Sequence, residues 1–158
     1  MTKQQYGKLA AKAATLADSK KAENIVIYDI SKNSSVFYYA VIVTVQSLPQ
    51  IKAVEEELIT ALKKDGAYSE HRDGASSAKW RALDYGGFIV HIFEPETRLI
   101  YALDKLYSDC PVLKWKEDKT PKKAVKTKKI KNPAKKKIKS AAKKTPKKSK
   151  KKNGNKKA

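Results

Sequence analysis

Apolar and polar positions follow regular periods over the first three quarters of the chain, and they predict three helices and five strands. Apolar residues recur every three to four positions in the helices and run almost continuously in the strands. We expect helices at about residues 3–18, 49–65 and 95–106, and strands at about 25–30, 36–45, 67–72, 79–85 and 88–93. Alternation of helices and strands predicts an α/β fold, a mixed β-sheet flanked by helices.

The clearest local pattern lies at residues 79–106. Gly86–Gly87 separates two apolar runs, and such a pair accepts the positive φ values of a hairpin turn. Glu94–Pro95 then suits the start of a helix. The apolar residues of this helix recur at helical spacing and are expected to face the sheet: Leu99, Ala102, Leu103 and Leu106.

The most apolar stretch, residues 36–45, predicts a central strand that is buried on both faces. Ser47 and Pro49 mark the start of the next helix, and Gly66 suits its C-terminal cap. This helix could connect the central strand to the segment at 67–72 as a right-handed parallel unit. The acids Glu55–Glu57 are expected on its solvated face.

Charge divides the chain into two parts. The 36 Lys and Arg exceed the 16 Asp and Glu by 20. Residues 1–115 hold 15 basic and 14 acidic residues, whereas residues 116–158 hold 21 Lys and two acids, a net of +19. We therefore expect a near-neutral domain at 1–115 and a disordered, Lys-rich tail at 116–158, because the tail has too little apolar surface to bury.

A flexible polycation binds polyanions by releasing their counterions. The tail contains no Arg and no aromatic residue, so its binding should be nonspecific and salt dependent. A solubilising role is the alternative. The candidate nucleic-acid-binding lysines are Lys122, Lys123, Lys135, Lys136, Lys137, Lys147 and Lys148.

Cys110 is the only cysteine, which excludes an intramolecular disulfide and fits a reducing compartment. No apolar run approaches the ~20 residues of a membrane span, and the N-terminus lacks a sustained signal-peptide core. These observations predict a cytoplasmic protein without membrane contact.

Several polar and aromatic residues could form a partner surface, and each has a structural alternative. Trp80 and Asp84 share one strand face, where an aromatic could anchor a partner or lie in the core. Asp73–Gly74 could present charge and backbone, or could be an ordinary turn. Arg98 and Tyr101 would share a helix face with Lys105, as a polar patch or a solvated face.

His91 lies in an apolar strand and is expected to be structural, because no second residue has metal-ligand spacing to it. Catalysis is not expected. Asp29 and Asp84 are isolated acids, and no nucleophile arrangement stands out. The sequence therefore predicts no enzyme, no cofactor and no metal site.

The order of residues from about Ala22 to Leu113 resembles the ribosomal silencing factor family, also called Iojap-like. The resemblance rests on a Trp strand, a hairpin, a His strand and an Arg–Tyr–Leu helix. The matching residues are Trp80, Asp84, Gly86, Val90, His91, Arg98, Tyr101, Leu103 and Leu106.

This resemblance implies a fold similar to nucleotidyltransferase domains and a function without chemistry. It implies binding to the large ribosomal subunit through its universal protein number fourteen, which would block subunit joining and repress translation. Family members are often homodimers, a question that these residues leave open. The positions that would contribute to the partner surface are Trp80, Asp73, Gly74, Asp84, Arg98 and Tyr101.

The chain departs from the family pattern at four positions. Tyr38 and Gly87 stand where the family usually has acids, Val45 where it has Gly, and Tyr107 where it has Trp.

Ribosomal RNA is the partner that the tail would reach. Two alternatives remain: a nonspecific nucleic-acid-binding accessory protein that acts through its tail, and a degenerate nucleotidyltransferase that binds nucleotide and metal.

Overall fold

A computed structural model describes residues 1–116, and the candidate tail lysines lie outside this range. The described part contains four helices and five strands. They are α1 (Lys3–Ser19), β1 (Glu23–Asp29), β2 (Tyr39–Thr44), α2 (Leu48–Lys64), β3 (His71–Asp73), β4 (Trp80–Asp84), β5 (Phe88–Phe93), α3 (Pro95–Tyr101) and α4 (Leu103–Leu106). The predicted α/β class and the order of elements are confirmed, except that the last predicted helix is two short helices.

Local capping and turn signals define several of these boundaries. The Thr2 hydroxyl accepts a hydrogen bond from the Gln5 amide, and the Gln5 side-chain oxygen accepts one from the Thr2 amide, which completes a capping box at α1. Ser47 caps α2, and Gly66 follows its last turn with φ +78°. In the hairpin, Gly86 has φ +77° whereas Gly87 does not enter the left-handed region, as in a type II′ turn.

The five strands form one mixed sheet in the order β1-β2-β5-β4-β3. Only β2 and β5 pair in parallel, and every other pair is antiparallel. The predicted parallel unit between the central strand and the segment at 67–72 is therefore wrong. That segment reduces to β3, a three-residue exposed strand at the edge, because His71, Arg72 and Asp73 offer nothing apolar to bury in a sheet centre.

β2 lies inside the sheet, and all six of its residues are buried, which confirms the predicted two-sided burial. Helices α1 and α2 cover one face. Helix α1 contributes small side chains, so it can lie close to the strands, and α2 contributes larger ones. The buried residues of these two helices are Ala10, Ala13, Ala14, Ala17, Ile51, Val54, Leu58 and Leu62.

One charged residue of α2 is also half-buried on this face. Glu55 accepts a hydrogen bond from Arg81 of β4 at 3.1 Å, and the Arg81 side chain is only 5% exposed. The predicted solvated face is therefore wrong for Glu55, because Arg81 points from the sheet toward α2 and takes Glu55 as its counter-ion. Glu56 remains exposed, as predicted, and Glu57 pairs with Lys20 at 3.0 Å.

The opposite face has a smaller apolar cluster and a thinner cover. Its buried members are Tyr28, Ile30, Ala40, Ile42, Phe93 and Cys110. Leu103 and Tyr107 pack against this cluster from α4 and from the residue that follows it. The chain then runs along β1, where the Asp29 and Leu113 amides bond to the Pro111 and Ile27 carbonyls, and so covers an otherwise free strand edge.

The last predicted helix breaks at Ala102, which has φ 48° and ψ 39°. The expected core stripe along it is wrong: Leu99 is 80% exposed and Leu106 is 65% exposed. The stripe assumed a continuous helix, but a residue in the left-handed region redirects everything that follows it. Leu103 alone keeps the predicted contact with the sheet cluster.

Gly87 packs directly under the Tyr6 ring of α1. A Cβ at Gly87 would lie 2.3 Å from the nearest Tyr6 ring carbon, and Tyr6 is held in turn by Phe88 and Tyr38. The Tyr38 amide also bonds to the Gly87 carbonyl at 2.8 Å. Two of the departures from the family pattern, Tyr38 and Gly87, thus belong to one aromatic cluster that has no room for a side chain at residue 87.

We expect Gly87→Ala to lower the free energy of unfolding by about 1–3 kcal/mol, because the Tyr6 ring has to move. The measurement is urea unfolding of the full chain. In a Tyr6→Ala background, the same substitution should cost much less. Equal costs with and without the Tyr6 ring would contradict this packing argument.

Candidate protein-recognition surface

Trp80 lies at the start of β4, on the sheet face away from α1 and α2, and is half-buried. Its indole stacks against three aromatic rings: Phe93 at 6.2 Å, His91 at 6.3 Å and Tyr101 at 5.5 Å between ring centroids. The predicted core role describes part of this arrangement. The inner rings place Trp80 in the sheet cluster, and Tyr101 of α3 covers its outer side.

Asp73 and Gly74 lie beside Trp80. Gly74 has φ +76°, and a Cβ there would be 2.4 Å from the Trp80 carbonyl oxygen. Glycine is therefore required twice, by the backbone conformation and by the close approach. The loop returns through Ser77, whose hydroxyl accepts from the Trp80 amide at 3.2 Å. Asp73 is exposed at the end of β3 and pairs in register with Ala82, two residues after Trp80 on the same strand face.

Asp84 lies at the other end of β4, four residues from Trp80. It accepts a hydrogen bond from the Gly86 amide at 2.7 Å, and it lies 3.6 Å from His71 Nδ1. Four strand residues span about 13 Å, so Asp84 and Trp80 share a face without touching. The carboxylate stabilises the hairpin turn, and its second oxygen faces the edge strand.

Arg98 and Tyr101 do not form a common polar face with Lys105, because the helix breaks at Ala102, before Lys105. Arg98 points inward, and its side chain is only 12% exposed. Tyr101 points outward over Trp80 and is 54% exposed. The structure thus joins Asp73, Gly74, Trp80 and Tyr101 in one region, and it places Asp84 and Arg98 at its margins in structural contacts.

Helix α3 also exposes two large apolar residues, of which Leu99 was expected to face the sheet and Ile100 was not considered. Leu99 and Ile100 are 80% and 79% exposed, directly before Tyr101 on α3. A signal for them exists in the sequence: three consecutive large apolar residues cannot all be buried on one side of a helix. We use the name α3 surface for the exposed apolar residues of α3, which are Leu99, Ile100 and Tyr101, together with Trp80, on which Tyr101 lies.

His91 lies below the α3 surface beside Trp80 and Phe93, and its ring centroid is 6.3 and 5.7 Å from theirs. Burial lowers the pKa of His91 to about 4, so the imidazole is neutral at pH 7. Its Nδ1 atom and the Trp80 Nε1 atom are both buried without a hydrogen-bond partner in the described residues. His91 therefore packs among the aromatic rings of the sheet cluster, but within residues 1–116 its Nδ1 lacks the hydrogen bond expected of a structural histidine.

The described residues offer no group of three or more His, Cys, Asp or Glu side chains that could hold a metal ion. The two isolated acids have structural contacts instead. Asp29 accepts from the Ser31 amide and hydroxyl and pairs with Lys3 at 2.8 Å, and Asp84 binds the hairpin turn. None of the helices within residues 1–116 is long and apolar enough to cross a membrane.

The fold and this surface define a class: a small α/β protein with an exposed aromatic and aliphatic surface. Comparison with known proteins gives the family. Residues 3–153 match the family described as "Ribosomal silencing factor during starvation". The chain therefore belongs to the ribosomal silencing factor (RsfS) family, which confirms the resemblance and gives the chain a ribosome-associated silencing role. This family is regulatory and is not known for enzymatic activity.

Individual relatives agree with this assignment. The chain is 32% identical to the ribosomal silencing factor RsfS of Bacillus subtilis over 100 residues, which cover 63% of this chain and 85% of the relative. It is 30% identical to the RsfS of Halalkalibacterium halodurans over 113 residues, 72% of this chain and 94% of the relative.

Solved structures share the fold. A crystal structure of a Chromobacterium violaceum protein matches with a TM-score of 0.61 and 30% identity, covering 68% of this chain and 88% of that chain. A Bacillus halodurans crystal structure matches with a TM-score of 0.58 and 29% identity, covering 70% and 98%.

The half-buried, neutral His91 should make stability depend on pH. In the unfolded chain, histidine titrates near 6.5, whereas in the folded chain His91 titrates at about 4. Between these values only the unfolded state binds the proton, so stability falls as pH is lowered through this window. Unfolding at pH 7 and pH 5 should show a loss of up to about 2 kcal/mol from this residue.

His91→Phe keeps the stacking and should remove this part of the pH dependence. His71→Gln is the matched control, because the His71 side chain is 77% exposed and should contribute little. If the parent and His91→Phe lose the same stability between pH 7 and pH 5, the burial of His91 is not the cause of the pH dependence.

Proposed function

We propose that this protein binds the large ribosomal subunit through the subunit's universal protein number fourteen, and that the bound protein sterically blocks subunit joining and represses translation. Family membership supports a ribosome-associated silencing role, and such a role would be carried out in the cytoplasm. The proposal requires no chemistry from the chain, only a surface that binds a partner.

The observation that carries the proposal is the exposure of the α3 surface. Leu99 and Ile100 are about four-fifths exposed, and Tyr101 covers Trp80 beside them. Exposed large apolar residues grouped in this way are costly in water and are typical of protein interfaces. Trp and Tyr are also the residues that most often dominate interface energies.

Charge at the edge of this surface can set the orientation of the partner. Asp73 is exposed at the end of β3, Glu96 is exposed on α3, and the side chain of Lys79, directly before Trp80, is 61% exposed. Charges at the edge of an interface contribute more to specificity and association rate than to affinity. An apolar centre with charges of both signs around it fits a partner surface that has an apolar centre and complementary mixed charge.

Ile100→Ser should weaken binding to the large subunit about tenfold or more, since a central apolar contact is lost while the free protein loses almost no buried surface. Tyr68→Ser is the matched control: Tyr68 is 62% exposed on the loop between α2 and β3. The measurement is co-sedimentation of the full chain with separated large and small subunits, followed by a subunit-joining assay.

Parent and Tyr68→Ser should sediment with the large subunit alone and prevent joining, and Ile100→Ser should do neither at the same concentration. Equal binding by Ile100→Ser would show that the α3 surface is not the docking surface. Equal binding of the parent to both subunits would oppose recognition of a large-subunit protein altogether.

We further propose that the tail, residues 116–158, adds nonspecific contacts with ribosomal RNA. The supporting observation is its net charge of +19, carried by lysines alone. Each phosphate that a lysine neutralises releases a counterion and increases the salt dependence of binding. The alternative, a nucleic-acid-binding accessory protein, rests on the same charge and differs in its partner.

Truncation after Lys116 should lower the affinity for the large subunit and flatten its dependence on salt concentration. The measurement is the binding constant of full-length and truncated chains at several salt concentrations, with free RNA as a second partner. An unchanged salt slope would show that the tail does not contribute. If the full chain binds free RNA as tightly as large subunits, the accessory-protein alternative is favoured.

A further inference from the structure

Arg98 is the centre of a hydrogen-bonded network beneath the α3 surface. Its Nε and Nη2 atoms donate to the two carboxylate oxygens of Asp104, each at 2.8 Å. Its Nη1 donates to the Thr44 hydroxyl at 2.8 Å and to the Asn24 carbonyl at 2.5 Å. Four of the five N–H donors of the guanidinium are therefore used within the chain.

Asp104 joins the network from the other side of the helix break. Besides the pair with Arg98, it accepts a hydrogen bond from the Tyr28 hydroxyl at 2.9 Å. The Arg98 hydrogen bonds hold the pKa of Asp104 below its ordinary value, and burial together with the Asp104 contact raises the pKa of Tyr28 to about 12. Both groups therefore keep their charge states around neutral pH, and the network stays intact there.

The network spans the break at Ala102. Arg98 lies on α3 and Asp104 on α4, and their side chains meet on the inner side of the left-handed residue between them. Through Thr44 and Asn24 the same guanidinium attaches both helices to the ends of β2 and β1. A bidentate arginine–carboxylate pair fixes relative orientation as well as distance.

This geometry decides which residues reach solvent. With the break in place, Leu99 and Ile100 face outward and Tyr101 lies on Trp80. An uninterrupted helix over the same residues would direct a stripe of Leu99, Ala102, Leu103 and Leu106 to one side instead. The exposure of the α3 surface therefore depends on the contacts that stabilise the break.

We propose that Arg98 is a positioning residue: together with Asp104 it clamps α3 and α4 to the sheet and thereby holds Tyr101, Leu99 and Ile100 in the geometry that a partner recognises. Direct contact of Arg98 with the partner is the competing role. The inward direction of its side chain, 12% exposed with a single N–H left, opposes that role. The clamp itself follows from the hydrogen bonds of Arg98, and its part in recognition rests on the proposed function.

The test uses the full chain with Trp115→Phe, so that Trp80 is the only tryptophan. The first measurement is acrylamide quenching of Trp80 fluorescence, which reports whether Tyr101 still covers the indole. The second is affinity for the large ribosomal subunit. Both are measured for Arg98→Ala, Arg98→Lys and Asp104→Asn.

Val54→Ala is the control for simple destabilisation. Val54 is fully buried on α2, on the opposite side of the sheet, so its truncation lowers stability without touching the clamp. Arg98→Lys keeps the charge near Asp104 but cannot bridge Asp104, Thr44 and Asn24 together. If Arg98→Ala does not fold, Arg98→Lys and Asp104→Asn provide the same comparison.

We expect Arg98→Ala and Asp104→Asn to increase the Trp80 quenching constant about twofold or more and to weaken large-subunit binding about tenfold. Arg98→Lys should fall between these variants and the parent, and Val54→Ala should change neither measurement. Weaker binding with unchanged quenching would overturn the proposal, because Arg98 would then contact the partner directly.

Increased quenching with unchanged binding would also overturn the role in recognition. If the parent does not bind the large subunit at all, the proposed function fails. Quenching then still decides whether the Arg98–Asp104 clamp holds Tyr101 over Trp80.

Discussion

The burial of β2 on both faces is the constraint on which the rest of the structure depends. All six of its residues are inaccessible, and strand side chains alternate between the faces, so the sheet must be covered twice. The first cover, α1 and α2, has 17 residues in each helix. The second is made of α3 and α4, with seven and four residues, and the chain after them. This shorter cover closes over Phe93 and Ile42 but leaves Trp80 at its margin, where Tyr101 completes it from the solvent side.

Features that depend on near neighbours in sequence could be predicted. Gly86 forms the hairpin turn because glycine tolerates its φ of +77°, and Ser47 and Gly66 define the ends of α2 for similar local reasons. The buried central strand was also predictable, because a continuous apolar run of this length is typical of a strand that is buried on both faces. Trp80 and Tyr101 were found as candidates, since large aromatics are rarely without a packing or binding role.

Features that depend on distant partners could not be predicted. Arg98 bonds to the Asn24 carbonyl, 74 residues away, and Glu55 pairs with Arg81, 26 residues away. No local sequence pattern predicts either contact. Alanine at position 102 favours a continuous helix, yet it adopts the left-handed conformation because the bonds of Arg98 and Asp104 offset that cost. Leu99 was consequently assigned to the core, although it is exposed.

The larger apolar core and the proposed recognition surface lie on opposite faces of the sheet. The face toward α1 and α2 contains the larger apolar cluster, including Val54 and Leu58, and no large apolar residue of α2 is exposed. The other face is held by fewer apolar contacts and by the polar network of Arg98. Polar networks fix geometry more than they add stability, because desolvation offsets much of their energy. A chain that must present Leu99 and Ile100 to water can therefore rely on the first face for folding and on the second for shape.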